Sequence, residues 1–126
     1  MNKQLFFCIS IIFISCGKID KSAYVDAVGD YEWVYSLAEV GDSYAFDTVE
    51  DRYGIRIKEN SKIFLFKNGK KIEKQKIKTA RRFSDNHTVL TIEKNGIELR
   101  YEIKNNVLTS TEYPYKCYSN QFTISK

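Results

Sequence analysis

Residues 88 to 103 read Thr-Val-Leu-Thr-Ile-Glu-Lys-Asn-Gly-Ile-Glu-Leu-Arg-Tyr-Glu-Ile. The pair Asn95-Gly96 stands between two runs, and apolar and polar residues alternate strictly in the run that follows it. Alternation with a period of two is typical of a strand with one buried face, and Asn-Gly favours the positive φ angles of a tight hairpin turn. The stretch therefore predicts a β-hairpin whose return strand places Leu99 and Tyr101 on one face.

The same pattern extends to both sides of this hairpin. A second pair, Asn68-Gly69, predicts another hairpin, and further alternating runs bring the total to about eight strands. They are expected near residues 31–37, 55–58, 62–67, 70–77, 88–93, 97–103, 107–111 and 122–124, with loops at 38–52 and 81–87. Strands joined by tight turns form a meander, and a closed meander has no exposed edges. We expect an all-β fold, a single antiparallel up-and-down meander of about eight strands closing into a small barrel, with an open, half-rolled sheet as the alternative.

Composition agrees with one β-rich domain. The chain has 126 residues and a formal net charge of +4, and it contains eight Phe, nine Tyr and one Trp, which favour strands. Of the three cysteines, Cys8 lies in the apolar leader and Cys16 is the expected site of modification, so Cys117 has no intramolecular partner. We expect Cys117 to be a small buried apolar residue.

The N-terminus resembles the signal of a bacterial lipoprotein. Lys3 precedes an apolar run at residues 5 to 14, too short to span a membrane, and Ser15 and Gly17 flank Cys16 as small residues flank a lipidated cysteine. We expect a signal peptide at 1–15, the lipidated Cys16 with a loosely ordered polar tether at 16–29, and the barrel at 30–126. Acyl chains such as palmitate would then anchor the protein in the cell envelope, most simply the outer membrane. An ordinary cleaved signal and a buried N-terminal strand are the alternatives.

Several short motifs together resemble the small lipocalin-like lipoproteins of diderm bacteria. They are Gly29-Asp30-Tyr31-Glu32-Trp33-Val34, Tyr53-Gly54, the hairpin from Phe66 to Lys70, and Asn120-Gln121-Phe122. This resemblance implies an eight-stranded barrel with an apolar cavity for a small apolar or amphipathic ligand. The candidate residues lining the interior are Trp33, Tyr35, Ile55, Ile57, Leu99, Tyr101 and Phe122, each of which also suits an ordinary packed core.

The chemistry of enzymes has little support in this sequence. His87 is the only histidine, and the spacings of transition-metal sites, nucleophile elbows and phosphate-binding loops are missing. Glu98 and Glu102 flank Arg100 on one strand face, as expected of a solvated, charge-balanced surface. We therefore expect a protein that is not an enzyme, has no cofactor or metal, and carries His87 in an exposed loop.

Charge is spread unevenly along the chain. Residues 26 to 51 contain eight acids and neither Lys nor Arg, and a basic stretch follows at Lys67, Lys70, Lys71, Lys74, Lys76, Lys78, Arg81 and Arg82. Such a stretch suits phosphates, anionic lipid headgroups or an acidic protein. A solvated hairpin whose lysines discourage edge pairing, facing the acidic loop of the same domain, is the favoured explanation from the sequence. Nucleic acid is not an expected partner of an exported lipoprotein. The alternative to ligand binding is an envelope protein-protein interaction module, such as an inhibitor, an immunity-type protein or an assembly partner, using the 38–52 loop or the basic hairpin.

Overall fold

The computed structural model describes residues 19–38, 43–45 and 48–125. The expected signal at 1–15 and Cys16 lie outside these residues. The described chain forms two 3₁₀ helices, Lys21–Ala23 and Val25–Ala27, and nine strands. The strands are β1 (Gly29–Leu37), β2 (Tyr44–Ala45), β3 (Tyr53–Ile57), β4 (Lys62–Lys67), β5 (Lys70–Ser84), β6 (His87–Lys94), β7 (Ile97–Lys104), β8 (Val107–Ser110) and β9 (Ser119–Ser125).

The strands close into a barrel. β3 to β9 pair in chain order, every neighbouring pair is antiparallel, and β1 pairs with β3 on one side and with β9 on the other. β2 is a short additional strand that pairs with β1 at Tyr35 and Ser36. The predicted all-β, up-and-down fold is confirmed as a closed eight-stranded antiparallel barrel with one extra strand, and the open sheet is excluded.

Two-residue turns made by asparagine set the register of the meander. Asn68 and Asn95 have φ angles of 53° and 54°, and the glycine that follows each has φ of 78°. Both predicted Asn-Gly hairpins are therefore present, and they join β4 to β5 and β6 to β7. Asn105 and Asn106, with φ of 52° and 66°, make the turn from β7 to β8 without a glycine, because asparagine tolerates this region better than other residues.

The two predicted loops need correction. β5 continues through Arg81 and Arg82 to Ser84, with Arg81 paired to Val89, so residues 81–87 are strand around a two-residue turn. The pairing of β5 with β6 is irregular between Ile77 and Thr79, so inward and outward residues change places along β5. A search for strict period-two alternation therefore does not detect the rest of the strand. Residues 38–52 likewise include a strand, β2.

The 3₁₀ helices cover one end of the barrel, which we call the cap end. Tyr24 is only 1% exposed, and its hydroxyl donates to the carbonyl of Glu59 at 2.5 Å in the turn between β3 and β4. Asp26 pairs with Arg82 of β5 at 2.7 Å, and Ala27 accepts a hydrogen bond from the Tyr31 hydroxyl at 2.8 Å. The prediction of a loosely ordered tether is therefore wrong for residues 19 to 28. These residues belong to the domain because one aromatic side chain seals the end of the core.

The core of the described residues extends along the whole barrel. Its buried apolar side chains extend from Tyr24 to Phe122, and Ile19 and Ile124 pack against them. Isoleucine and leucine from β3 to β8, such as Ile57, Ile63 and Leu108, fill the half of the barrel next to the cap. A chain of residues 19 to 126 contains every core residue that the structure describes and is expected to fold by itself.

We predict that Tyr24→Ala destabilises the barrel by about 3 kcal/mol, because it removes a buried ring and a hydrogen bond to the β3–β4 turn. Val25→Ala, which truncates a neighbouring side chain that is exposed, is the matched control and should change stability little. Urea unfolding monitored by circular dichroism measures both free energies of unfolding. Equal stability of the two variants would show that the cap is not part of the folded domain.

Candidate functional site

An aromatic cluster occupies the end of the barrel opposite the cap. It comprises Trp33 of β1, Tyr44 of β2, Tyr53 of β3, and Tyr113, Tyr115 and Tyr118 of the connection between β8 and β9. We call these six side chains the aromatic mouth. Tyr115 is central: its ring stacks on that of Tyr44 with centroids 4.4 Å apart and meets Trp33 and Tyr53 at 5.9 and 6.0 Å.

A bulge in β1 determines which residues reach this cluster. Trp33 pairs with Phe122 and Tyr35 with Gln121, so Val34 is an extra residue that reverses the alternation. Trp33 lies before the bulge and is buried in alternation with Tyr31. After the bulge Ser36 is buried, whereas Tyr35 and Leu37 are 38% and 49% exposed. The prediction that Tyr35 lines the interior is wrong, because period-two alternation cannot register one inserted residue.

Asn120 of β9 holds the connection that carries the tyrosines. Its amide nitrogen donates to the carbonyls of Ser110 at 2.9 Å and Tyr115 at 2.8 Å, and its side-chain oxygen accepts from the Ser36 hydroxyl. Ser36 in turn accepts from the indole nitrogen of Trp33 at 2.8 Å. Because this network is fully buried, it fixes residues 111 to 118 against the barrel end.

The other predicted interior residues lie where the alternation placed them. Ile55, Ile57, Tyr101 and Phe122 are buried in the core with Trp33, and Leu99 is partly buried against it. The structure brings these residues together in one core, where they mainly pack against one another. Trp33, Leu99 and Tyr101 lie towards the mouth, whereas Ile57 lies at the cap end.

A chain of polar side chains leads from the interior to the rim of the mouth. The Tyr101 hydroxyl donates to Gln75 at 2.5 Å, the Gln75 amide donates to Glu73 at 2.7 Å, and the Lys94 ammonium lies 2.9 Å from the other Glu73 oxygen. Burial raises the pKa of Glu73, but hydrogen bonds from Gln75 and Lys94 outweigh it and lower the pKa overall. Glu73 and Gln75 were not identified as functional residues from the sequence. Their alternation with Lys74 and Lys76 along β5 is the signal that could have placed them on the inner face.

Burial raises the pKa values of three tyrosines in this region. Burial, with a contribution from Tyr115, raises the pKa of Tyr53 to about 12. Burial also raises the pKa of Tyr113, with contributions from Tyr53 and Glu73, and the pKa of Tyr101. These three hydroxyls therefore stay protonated to a higher pH than an exposed tyrosine does, and the Tyr113 hydroxyl donates to the carbonyl of Phe66.

The residue types that could serve in catalysis, such as His87 and Cys117, lie outside the aromatic mouth. Among the described residues no group of three or more His, Cys, Asp and Glu side chains is placed to hold a metal ion. His87 is the first residue of β6 rather than a loop residue, and its Nε2 lies 3.0 Å from Glu102 on the outer surface. Cys117 is exposed, contrary to prediction, because it sits in the connecting loop with φ of 67° and not in a strand.

Comparison with known proteins adds no identity. Neither protein-family models nor curated proteins nor solved structures match the chain. Across residues 19–38, 43–45 and 48–125, no helix has the length and apolarity needed to cross a membrane.

We predict that the protein loses stability as pH rises from about 10 to 12, because the neutral tyrosine is favoured in the folded state. Tyr31 and Tyr53 have folded pKa values of about 12, above the ordinary value of 10.0, so their contribution is complete below pH 10 and disappears through 12. Urea midpoints measured across this range should fall less steeply in Tyr53→Phe, which removes one such group. The control Tyr35→Phe should follow the unmodified protein, and identical slopes in all three would contradict the assignment.

Proposed function

We propose that this protein is a lipid-anchored, non-enzymatic, lipocalin-like binding module of the bacterial cell envelope that takes a small apolar or amphipathic molecule at the aromatic mouth. The observation that carries the proposal is the set of six aromatic rings gathered at the end of the closed barrel opposite the cap. Aromatic rings presented together at the opening of a barrel offer apolar and stacking surface to a ligand.

The ligand's chemistry follows from the two kinds of group at this end. Tyr44, Tyr53 and Tyr115 are half-buried, so their rings combine a packed side with an accessible one. Gln75 and Glu73 provide polar groups where the barrel interior meets the aromatic mouth. An apolar or flat portion of a ligand would pack on the rings, and a hydroxyl or amine group would meet Glu73 or the neutral tyrosine hydroxyls.

The aromatic mouth suits ligand binding better than the part of the interior next to the cap. Residues such as Ile57, Ile63 and Leu108 already fill the barrel between the cap and the middle of the strands. A ligand there would have to displace close-packed side chains, which is costly. Of the predicted interior residues, Trp33, Leu99 and Tyr101 are the ones placed to meet a ligand from the mouth.

The expected anchor gives the molecule an orientation. Cys16 precedes Ile19, which packs against the core, by three residues, and an extended chain of three residues spans only ~10 Å. The 3₁₀ helices that follow cover the cap end. With acyl chains on Cys16, the cap end would therefore lie near the membrane and the aromatic mouth would open towards water.

A second candidate is an envelope protein-protein interaction module. It is favoured by the exposed side chains of Tyr35 and Leu37, which the β1 bulge turns outward beside a cleft of about 390 Å³ lined by Cys117 and Tyr118. Native mass spectrometry of the protein isolated from its own envelope discriminates between the two. A retained small-molecule mass supports ligand binding, and a retained polypeptide supports the interaction module.

We predict that an amphipathic aromatic probe, anilinonaphthalene sulfonate, quenches the fluorescence of Trp33, the only tryptophan, in a saturable way. Tyr115→Ala should weaken this binding about tenfold, because it removes the ring that contacts both Tyr44 and Trp33. Phe83→Ala, which truncates an exposed aromatic residue near the cap end, is the matched control. Equal weakening by both variants, or no saturable change at Trp33, would contradict binding at the mouth.

We predict that Cys16→Ser abolishes incorporation of labelled palmitate and moves the protein from the membrane fraction to the soluble fraction, since the acyl chains provide the anchor. Cys117→Ser is the control and should remain lipidated and membrane-bound. Labelling of the Cys16→Ser protein would refute lipidation at this position, whatever the outcome at the aromatic mouth.

A further inference from the structure

The outer wall of the barrel at β3, β4 and β5 carries a dense group of cations. Neighbouring strands bring them side by side: Lys62 is paired directly with Lys76, and Phe64 lies between Arg56 and Lys74 in the register. We call this surface the basic face. Its cations are Arg56, Lys58, Lys62, Lys71, Lys74 and Lys76.

Apolar side chains lie between these cations. The ring of Phe64 has the ammonium groups of Lys58 and Lys71 at 5.6 and 4.8 Å from its centroid, and the guanidinium of Arg56 lies 5.0 Å from the ring of Phe66. Ile72 is 51% exposed, because the bulge in β5 opposite Leu65 and Phe66 turns it outward. The basic face is therefore amphipathic, with two half-buried phenylalanines and one exposed isoleucine among lysines.

The positive charge of the basic face is poorly compensated within the barrel. In the part of the chain that the structure describes, Arg56 pairs with Asp30, whereas Lys58, Lys62, Lys71, Lys74 and Lys76 have no carboxylate within 4.0 Å. The acidic stretch meets the basic hairpin at its edge, where Asp51 lies 3.9 Å from Lys67. Like charges directly opposite each other on paired strands destabilise a sheet, so an external anionic partner would relieve a repulsion that the fold retains.

We propose that the basic face docks on an anionic lipid bilayer. Lysines recognise lipid phosphates, while Phe64, Phe66 and Ile72 enter the headgroup region, a combination typical of interfacial membrane contact. A purely electrostatic partner such as an acidic protein would not require apolar residues at the centre of the patch. The proposal is independent of any ligand at the aromatic mouth. It places the barrel wall on the bilayer, while the cap end stays close to the membrane through the expected anchor.

The test uses residues 19 to 126, which contain every core residue that the structure describes but neither the apolar leader nor Cys16. Sedimentation with vesicles of phosphatidylcholine, with and without phosphatidylglycerol, should show binding only to the anionic vesicles, weakening steeply as salt is raised. Lys71→Gln, Lys74→Gln and Lys76→Gln combined should reduce the partition coefficient about a hundredfold, as three surface lysines are removed. Circular dichroism confirms that each variant is folded.

The matched control removes the same charge from other surfaces. Arg100→Gln, Lys104→Gln and Lys116→Gln change exposed cations of β7 and of the β8–β9 connection, and this variant should bind within about threefold of the unmodified domain. Ile72→Ser should weaken binding, whereas Ile97→Ser, at a still more exposed isoleucine of β7, should not.

Four results would overturn the proposal. They are binding to neutral vesicles alone, equal loss in the two triple variants, displacement by glycerol phosphate at constant ionic strength, and capture of an acidic protein without binding to anionic vesicles. The third would indicate a small-anion site, and the fourth a protein partner. None of them bears on the aromatic mouth, which is tested through Trp33 fluorescence.

Discussion

The hydrogen bonds between β1 and β9 join the two ends of the sheet, and the remaining features of the barrel depend on them. They give β1 a second partner, convert a meander with two open edges into a ring, and seal the isoleucine-rich interior from water. Their register includes one extra residue in β1, Val34. That residue reverses the alternation after Trp33, so Ser36 points into the barrel and Tyr35 lies on its surface.

Closure gives the molecule two unlike ends. At the cap end, Tyr24 covers the core through contacts with the β3–β4 turn, and the chain that leads to Cys16 begins there. At the other end, the buried amide of Asn120 binds the backbone on both sides of the tyrosine-rich connection and fixes it beside Trp33. The aromatic mouth and the first described residues of the chain are thereby placed at opposite ends of the barrel.

The wall has its own chemical asymmetry. Lysines alternate with inward residues along β5, so the same alternation that supplies Gln75 and Ile77 to the interior supplies Lys74 and Lys76 to the basic face. Towards the interior, burial raises the pKa values of Tyr53 and Tyr113. On the outer surface, closely spaced cations are exposed to water. Alternation along β5 thus supplies polar and apolar side chains to the interior and lysines to the basic face.

The sequence by itself determined the eight barrel strands, both Asn-Gly hairpins and most of the buried set, including Ile55, Ile57 and Phe122, because turn preference and period-two alternation are local properties of the chain. It did not determine the exposure of Tyr35, the extension of β5 to Ser84 or the burial of Tyr24. These depend on bulges and on contacts with residues far along the chain, such as Glu59. The mouth itself, with Tyr113 and Tyr115 held by Asn120, was decided only by the tertiary structure, since a non-periodic connection acquires its conformation from the buried amide that binds it.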